Sequence, residues 1–240
     1  MNPRAWTPLV PAVLLASILG GCDWHLPGKP VKPVEPTIGS REHFDRVYFV
    51  NCLGCHGPDG RNGPARPMND PLYLASIPDQ TFEKVVEDGH GVLMPGFRKT
   101  AFSGLSSEEI TAFTTSIKTY WGDPKLSVTD LPPYAQPAGA GDPTAGKATF
   151  ATFCGACHGA DGAGKEDGAG SVVNRFYLEL VSDQALRSTV LFGRTDLGCP
   201  SSQGPYPGQP KDRGLTPTEI NDVTAWLVSN RVSVSQEAKR

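Results

Sequence analysis

The pentapeptide Cys-x-x-Cys-His occurs twice, as Cys52-Leu53-Gly54-Cys55-His56 and as Cys154-Gly155-Ala156-Cys157-His158, offset by 102 residues. Two thiols at this spacing add to the two vinyl groups of a haem, and the adjacent histidine then becomes an axial ligand of its iron. Iron held in this way cycles between Fe(II) and Fe(III) without being lost, so electron movement is the default function. Two other uses of the motif fit poorly. Zinc ribbons need Cys pairs about 15–20 residues apart. A thioredoxin-type pair needs no histidine and sits beside a βαβ pattern, of which the sequence has no trace. The expected cofactors are therefore two covalently bound haem groups, held by Cys52, Cys55, Cys154 and Cys157, with iron bound by His56 and His158.

The chain has 240 residues, enough for one or two ordinary domains, and its 27 Gly and 23 Pro imply much loop around small helical cores. A formal net charge of −3 gives no reason to expect a nucleic-acid partner. Residues 1–21 read as an export signal. Arg4 is the positive start, and residues 9–19 are an apolar run too short to span a bilayer. The run stops at Leu19-Gly20-Gly21-Cys22, which resembles the lipobox of bacterial lipoproteins. That resemblance implies a lipid anchor at Cys22, a periplasmic location and, from Asp23, the inner membrane. Acyl chains on one cysteine would hold the protein at a membrane surface. Pro27, Pro30, Pro33 and Pro36 then recur every third residue, matching the turn of a polyproline II helix, so residues 22–39 read as a semi-rigid stalk.

The remainder is an internal duplication. An apolar helix leads into each pentapeptide, with Phe44, Val47, Tyr48 and Val50 in the first copy and Phe150, Ala151 and Phe153 in the second. Gly89 is echoed by Gly193, and Gly104-Leu105-Ser106 by Gly214-Leu215-Thr216. Ser106 with Glu109, and Thr216 with Glu219, are capping boxes that start two further helices. Leu105 with Ile110, and Leu215 with Ile220, fit hydrophobic staples, and Pro217 suits a first helical position. No strand-like alternation is present. The domain boundaries read as 40–122, 143–232, a Pro- and Gly-rich linker at 123–142, and a tail at 233–240.

Helix, Cys-x-x-Cys-His, loops, a Met-bearing loop and a capped last helix together resemble class I cytochrome c, present twice. The resemblance implies an all-α fold of two tandem domains. It also implies that the first and last helices of each domain cross, putting Phe44 or Tyr48 against Tyr120 and Trp121, and Phe150 against Trp226. His56 and His158 are expected to ligate through one ring nitrogen while the other donates to a backbone carbonyl. The segment around Pro64 and Pro67 is the expected acceptor in the first half; residues 162–170 contain no proline and suggest none.

A sixth ligand decides between electron transfer and chemistry at an open iron. In the first half the expected ligand is Met94, within Met94-Pro95, in preference to Met68 or a solvent-facing His90. In the second half the matching dipeptide is Cys199-Pro200, one residue further from its glycine. Beyond residue 140 there is no Met and no His except His158. Cys199 is either a thiolate ligand, a loop thiol beside an open iron, or a site of modification or cross-linking; position and elimination favour the ligand. A thiolate stabilises Fe(III), so the second haem would have the lower potential.

These features describe a dihaem carrier of single electrons between membrane or periplasmic redox complexes, including as a subunit of a respiratory or photosynthetic complex. The alternative is a His/Cys-haem oxidoreductase acting on a sulfur anion such as thiosulfate. It would need cations to hold its substrate, for which Arg175, Arg187, Arg194 and Lys211 are available, although solvated surface charge is the simpler expectation for them. A dihaem peroxidase fits less well, because no calcium-loop signature is visible.

Overall fold

The computed structural model describes residues 34–101, 103–137, 139–210 and 213–231. The export signal, Cys22, most of the stalk, the tail and Lys211 lie outside the described residues. From residue 36 onward the described chain packs as one compact unit. It is helical except for one two-residue ladder, and no described helix is long and apolar enough to cross a membrane.

Helix α1, Arg41–Asn51, starts where the Ser40 hydroxyl accepts from the His43 amide at 3.1 Å. It buries Phe44, Val47 and Tyr48, positions three and four apart. Val50, expected on that face, is exposed instead, because it lies about 120° around the helix from Phe44. The one-turn α2, Leu53–His56, carries the first pentapeptide. Then follow α3 (Pro71–Ser76), capped by Asp70, α4 (Asp79–Asp88), and the ladder of β1 (Gly89–His90) with β2 (Met94–Pro95). The last helix of this half is α5, Ser107–Trp121, begun by the Ser106/Glu109 capping box with both reciprocal hydrogen bonds made.

The second half repeats the order. Helix α6 is Pro143–Phe153, capped by Asp142, and α7 is Gly155–His158. Next come α8 (Arg175–Leu180), α9 (Asp183–Phe192), a 3-10 turn at Thr195–Leu197, and α10 (Pro217–Ser229). Pro217 is at the first helical position behind the Thr216/Glu219 capping box.

In both halves the first and last helices cross through aromatic rings. Phe44 lies 5.0 Å from Tyr120 and 5.3 Å from Trp121, and Tyr48 lies 5.1 Å from Trp121, all edge to face. Phe150 and Trp226 are 4.4 Å apart. A buried ring such as Phe44 or Phe150 contributes about 3–5 kcal/mol, judged by truncation to alanine. The crossings are built differently. With the pentapeptides aligned, Phe44 corresponds to Gly146, and at Gly146 the two backbones touch, with the Asp222 carbonyl where a side chain would be.

The halves share a core. Tyr73 of α3 meets Phe192 of α9 at 5.5 Å, and Tyr134 from the connecting segment is within 6.5 Å of both rings. Arg187 is fully buried and donates to the carbonyls of Pro133 and Tyr134 and to Asn221 Oδ1. Burial is tolerable because the guanidinium is hydrogen-bonded throughout. This cation pins the connecting segment to α9 and is not the solvated charge expected from the sequence.

Candidate haem sites

Each pentapeptide is wound into a single turn. Cys55 and His56 donate their amides to the Cys52 carbonyl, and Cys157 and His158 do the same to Cys154. That turn puts two thiols and an imidazole on consecutive steps of one short helix. Gly57 and Gly159, which follow, have φ of +82° and +76°, and a side chain at Gly57 would collide with the Arg61 carbonyl.

His56 Nδ1 lies 2.7 Å from the Arg66 carbonyl, and His158 Nδ1 lies 3.1 Å from the Gly170 carbonyl. A carbonyl only accepts, so Nδ1 carries the hydrogen and Nε2 keeps its lone pair, the form that binds metal. Arg66 falls between the two prolines singled out in the sequence; Gly170 is the acceptor that the sequence did not suggest. Burial holds the His56 pKa below the usual value, against the opposing pull of the Arg66 carbonyl, and keeps the ring neutral. Cys52 and Cys154 are pushed up to about 12 by burial first and neighbouring thiols second. A redox Cys-x-x-Cys pair has the opposite property, a lowered thiol pKa. Among the described residues no three His, Cys, Asp or Glu side chains assemble as a metal-ion site. The donors present are therefore those of a thioether-linked haem with one imidazole ligand, and they fit that group in both halves.

The two loops that carry Met94 and Cys199 are structural equivalents. His90 pairs with Met94 in the ladder, and Arg194 pairs with Cys199 in an isolated antiparallel bridge. Gly89 and Gly193 both have positive φ, and a Cβ on either would sit 2.4 Å from the carbonyl oxygen of Met94 or Cys199 respectively. Three residues on, the carbonyls of Phe97 and Ser202 accept from Leu105 and Leu215, each at 2.7 Å. The extra residue of the second loop is absorbed by the 3-10 turn, closed by Gly198 in the left-handed region.

Cys199 is half-buried, and its thiol is raised by burial first, with the Cys157 thiol also felt. The fold thus brings Cys199 toward the second pentapeptide. Tyr177 and Tyr206 sense the same thiol, and neither was singled out in the sequence. Met94 is half-buried on its hairpin, whose tip, Val92 and Leu93, is exposed. Met68 is buried in the shared core. His90 is not solvent-facing: its Nε2 lies 2.5 Å from Ser182 Oγ at the start of α9. Arg194, too, is engaged, gripping Asp196 through two hydrogen bonds of 2.9 Å and the Gly63 carbonyl through a third. Arg175 lies over the Phe176 ring. For His90 and for the bond from Arg194 to Gly63 the partners lie far along the chain, beyond the reach of local pattern.

Residues 143–231 match the family described as cytochrome c, and residues 41–114 match cytochrome c oxidase, cbb3-type, subunit III. The cbb3-type cytochrome c oxidase subunit FixPc of Rhizobium leguminosarum bv. viciae is 26% identical over 151 residues, covering 58% of this chain and 47% of that protein. The chain thus spans about half the length of that curated relative. Among solved structures, a reducing HAO-like protein complex of Kuenenia stuttgartiensis is 16% identical with a TM-score of 0.45, over 84% of this chain and 100% of that one. Thiosulfate dehydrogenase from Marichromatium purpuratum is 20% identical with a TM-score of 0.28, over 79% of this chain and 44% of that one. Neither structural likeness bears on function.

Proposed function

The chain is a c-type cytochrome with one such domain in each half, and on that premise we propose that it is a dihaem carrier of single electrons serving a membrane-bound redox complex. The observation that carries the proposal is the mirrored turn, with two thiols, a histidine fixed through Nδ1 and a free Nε2, present in both halves. When bound, each haem supplies one-electron Fe(II)/Fe(III) chemistry.

In this reading Cys52, Cys55, Cys154 and Cys157 form the thioethers, and His56 and His158 ligate through Nε2. Met94 and Cys199 are the sixth ligands, presented by equivalent loop positions. A neutral thioether at Met94 favours the reduced state and a thiolate at Cys199 the oxidised state, so the second site is the electron donor to the first. The likeness to an oxidase subunit supports a respiratory complex as partner. Cys22 and the stalk would hold the protein on the periplasmic face of the inner membrane.

A sulfur-anion enzyme is disfavoured because Arg187 and Arg194, two of the cations it would use, are committed to protein acceptors. Exposure of the purified ferrous and ferric protein to carbon monoxide and cyanide tests the proposal. Unchanged spectra at both irons are expected. Rapid binding at either one would point to an open site and overturn the carrier reading.

A further inference from the structure

One residue reaches both candidate sites, and we infer that Arg66 is a positioning residue that couples the iron ligands of one half to those of the other. The inference rests on the dihaem reading. The Arg66 carbonyl accepts from His56 Nδ1 at 2.7 Å, which sets the plane of the first ligand ring. Its guanidinium crosses to the second half, where Nη2 donates to the Ser188 carbonyl at 2.7 Å and to the Gly193 carbonyl at 3.1 Å. Gly193 opens the loop that is bridged at Arg194 to Cys199. Main chain and side chain of the same residue thus hold the first histidine and the second sixth-ligand loop.

The cation is held mainly through Nη2 and the ring faces, while Nη1 is buried without a hydrogen bond. It lies 5.0 Å from the centre of the Tyr73 ring and 5.1 Å from that of Phe192, one ring from each half. Asp70 Oδ2 balances its charge, 3.5 Å from Nη1. Two further bonds join the same segments, one in each direction: Arg194 Nη2 donates to the Gly63 carbonyl at 2.9 Å, and the Asn62 amide donates to Asp196 Oδ2 at 3.1 Å. The 62–66 segment beneath the first histidine and the 193–199 loop are therefore laced together by charge-assisted bonds, stronger than neutral ones.

Comparison of the halves separates this role from simple adhesion. The acceptor for the second histidine is the carbonyl of Gly170, which has no side chain to send anywhere. Any residue can offer a carbonyl, yet in the first half the residue that does so is the arginine that reaches the other loop. A hydrogen bond to Nδ1–H makes an imidazole ligand more basic, so displacement of the 193–199 loop is transmitted through Arg66 to the ligand strength of His56. The reverse holds as well, since the linkage is mechanical.

The test is a redox titration of the full dihaem protein, with low-temperature EPR resolving the two ferric irons, in wild type, Arg66→Gln and Arg66→Lys. Arg66→Gln should alter both sites. The first midpoint should move on the order of tenfold in its one-electron equilibrium, about 59 mV, and the ferric signal of the second iron should change as well. Arg66→Lys, which keeps the charge and places its donors on a single nitrogen, should recover part of both effects. A change confined to the first iron, or none at either, overturns the coupling. If Arg66→Gln does not fold, Arg194→Gln removes the bond from the second half to the Gly63 carbonyl. It should then shift the first midpoint although Arg194 belongs to the second half, and an effect only on the second iron overturns the inference. Intact mass, read on the same samples, distinguishes these results from a protein without two covalent haems, which would remove the underlying reading itself.

Discussion

Gly146→Ala is expected to destabilise the second half although alanine is the better helix former. In the interior of a helix the exchange gains about 0.5–1 kcal/mol. Here the added Cβ would lie 2.0 Å from the Asp222 carbonyl oxygen, 2.4 Å from its carbon and 2.9 Å from Trp226 Cβ. Carbon atoms pack at about 3.5–4.0 Å, so α6 and α10 must separate by more than about 1 Å. That separation loosens the Phe150–Trp226 contact of 4.4 Å and strains the bond from the Asp142 amide to Asp222 Oδ1 at 2.7 Å. Overpacking of this kind costs about 1–3 kcal/mol, and the upper end applies because the obstacle is backbone. The net loss is about 2–2.5 kcal/mol, equivalent to a fall in Tm of roughly 4–10 °C for a chain of this size. Gly54→Ala is the control, since a Cβ there meets nothing within 4 Å and its φ is ordinary. Denaturant titrations followed by haem absorbance give both values. A neutral or stabilising Gly146→Ala would show that the helix crossing is looser than its geometry and refute the reasoning.

Cys199→Met should raise the second midpoint by on the order of hundreds of millivolts, within the roughly 0.8 V that axial ligands span. It should also abolish any thiolate-type ferric EPR signal; an unchanged potential would remove Cys199 from the ligand set. Met94→Ala should make the first iron alone bind carbon monoxide, and persistence of a closed site would return attention to Met68. Asp196 is held below the usual carboxylate range chiefly by hydrogen bonds from Arg194, so its folded pKa is the lower one. Its stabilisation is present above about pH 4 and is lost as the pH falls through that lowered value. Asp196→Asn should therefore lower stability at pH 7 and flatten the acid limb of the stability curve; an acid limb as steep as wild type would contradict this.

The local motifs of this chain were legible in its sequence because their physics is local. Both capping boxes act over four residues, and both form as read. The aromatic crossings were legible through the family resemblance, and the rings meet. The equivalence of Met94 and Cys199 could be inferred from their glycines and following prolines, and the backbone ladder gives it a geometric basis. What escaped depends on contacts between segments far apart in the chain. Arg187 looks like surface charge until the carbonyls of Pro133 and Tyr134 are brought to it. His90 looks free until Ser182 arrives from ninety-two residues away. Arg66 carries no local signal at all, since its significance is that its two ends serve different halves.

The most direct measurement is the intact mass of the mature protein together with its haem-to-polypeptide ratio after denaturation. Two haems that stay with the unfolded chain are expected, along with their loss one at a time in Cys52→Ala/Cys55→Ala and Cys154→Ala/Cys157→Ala. A mature polypeptide bearing no covalent haem, or only one, would contradict the assignment of both pentapeptides.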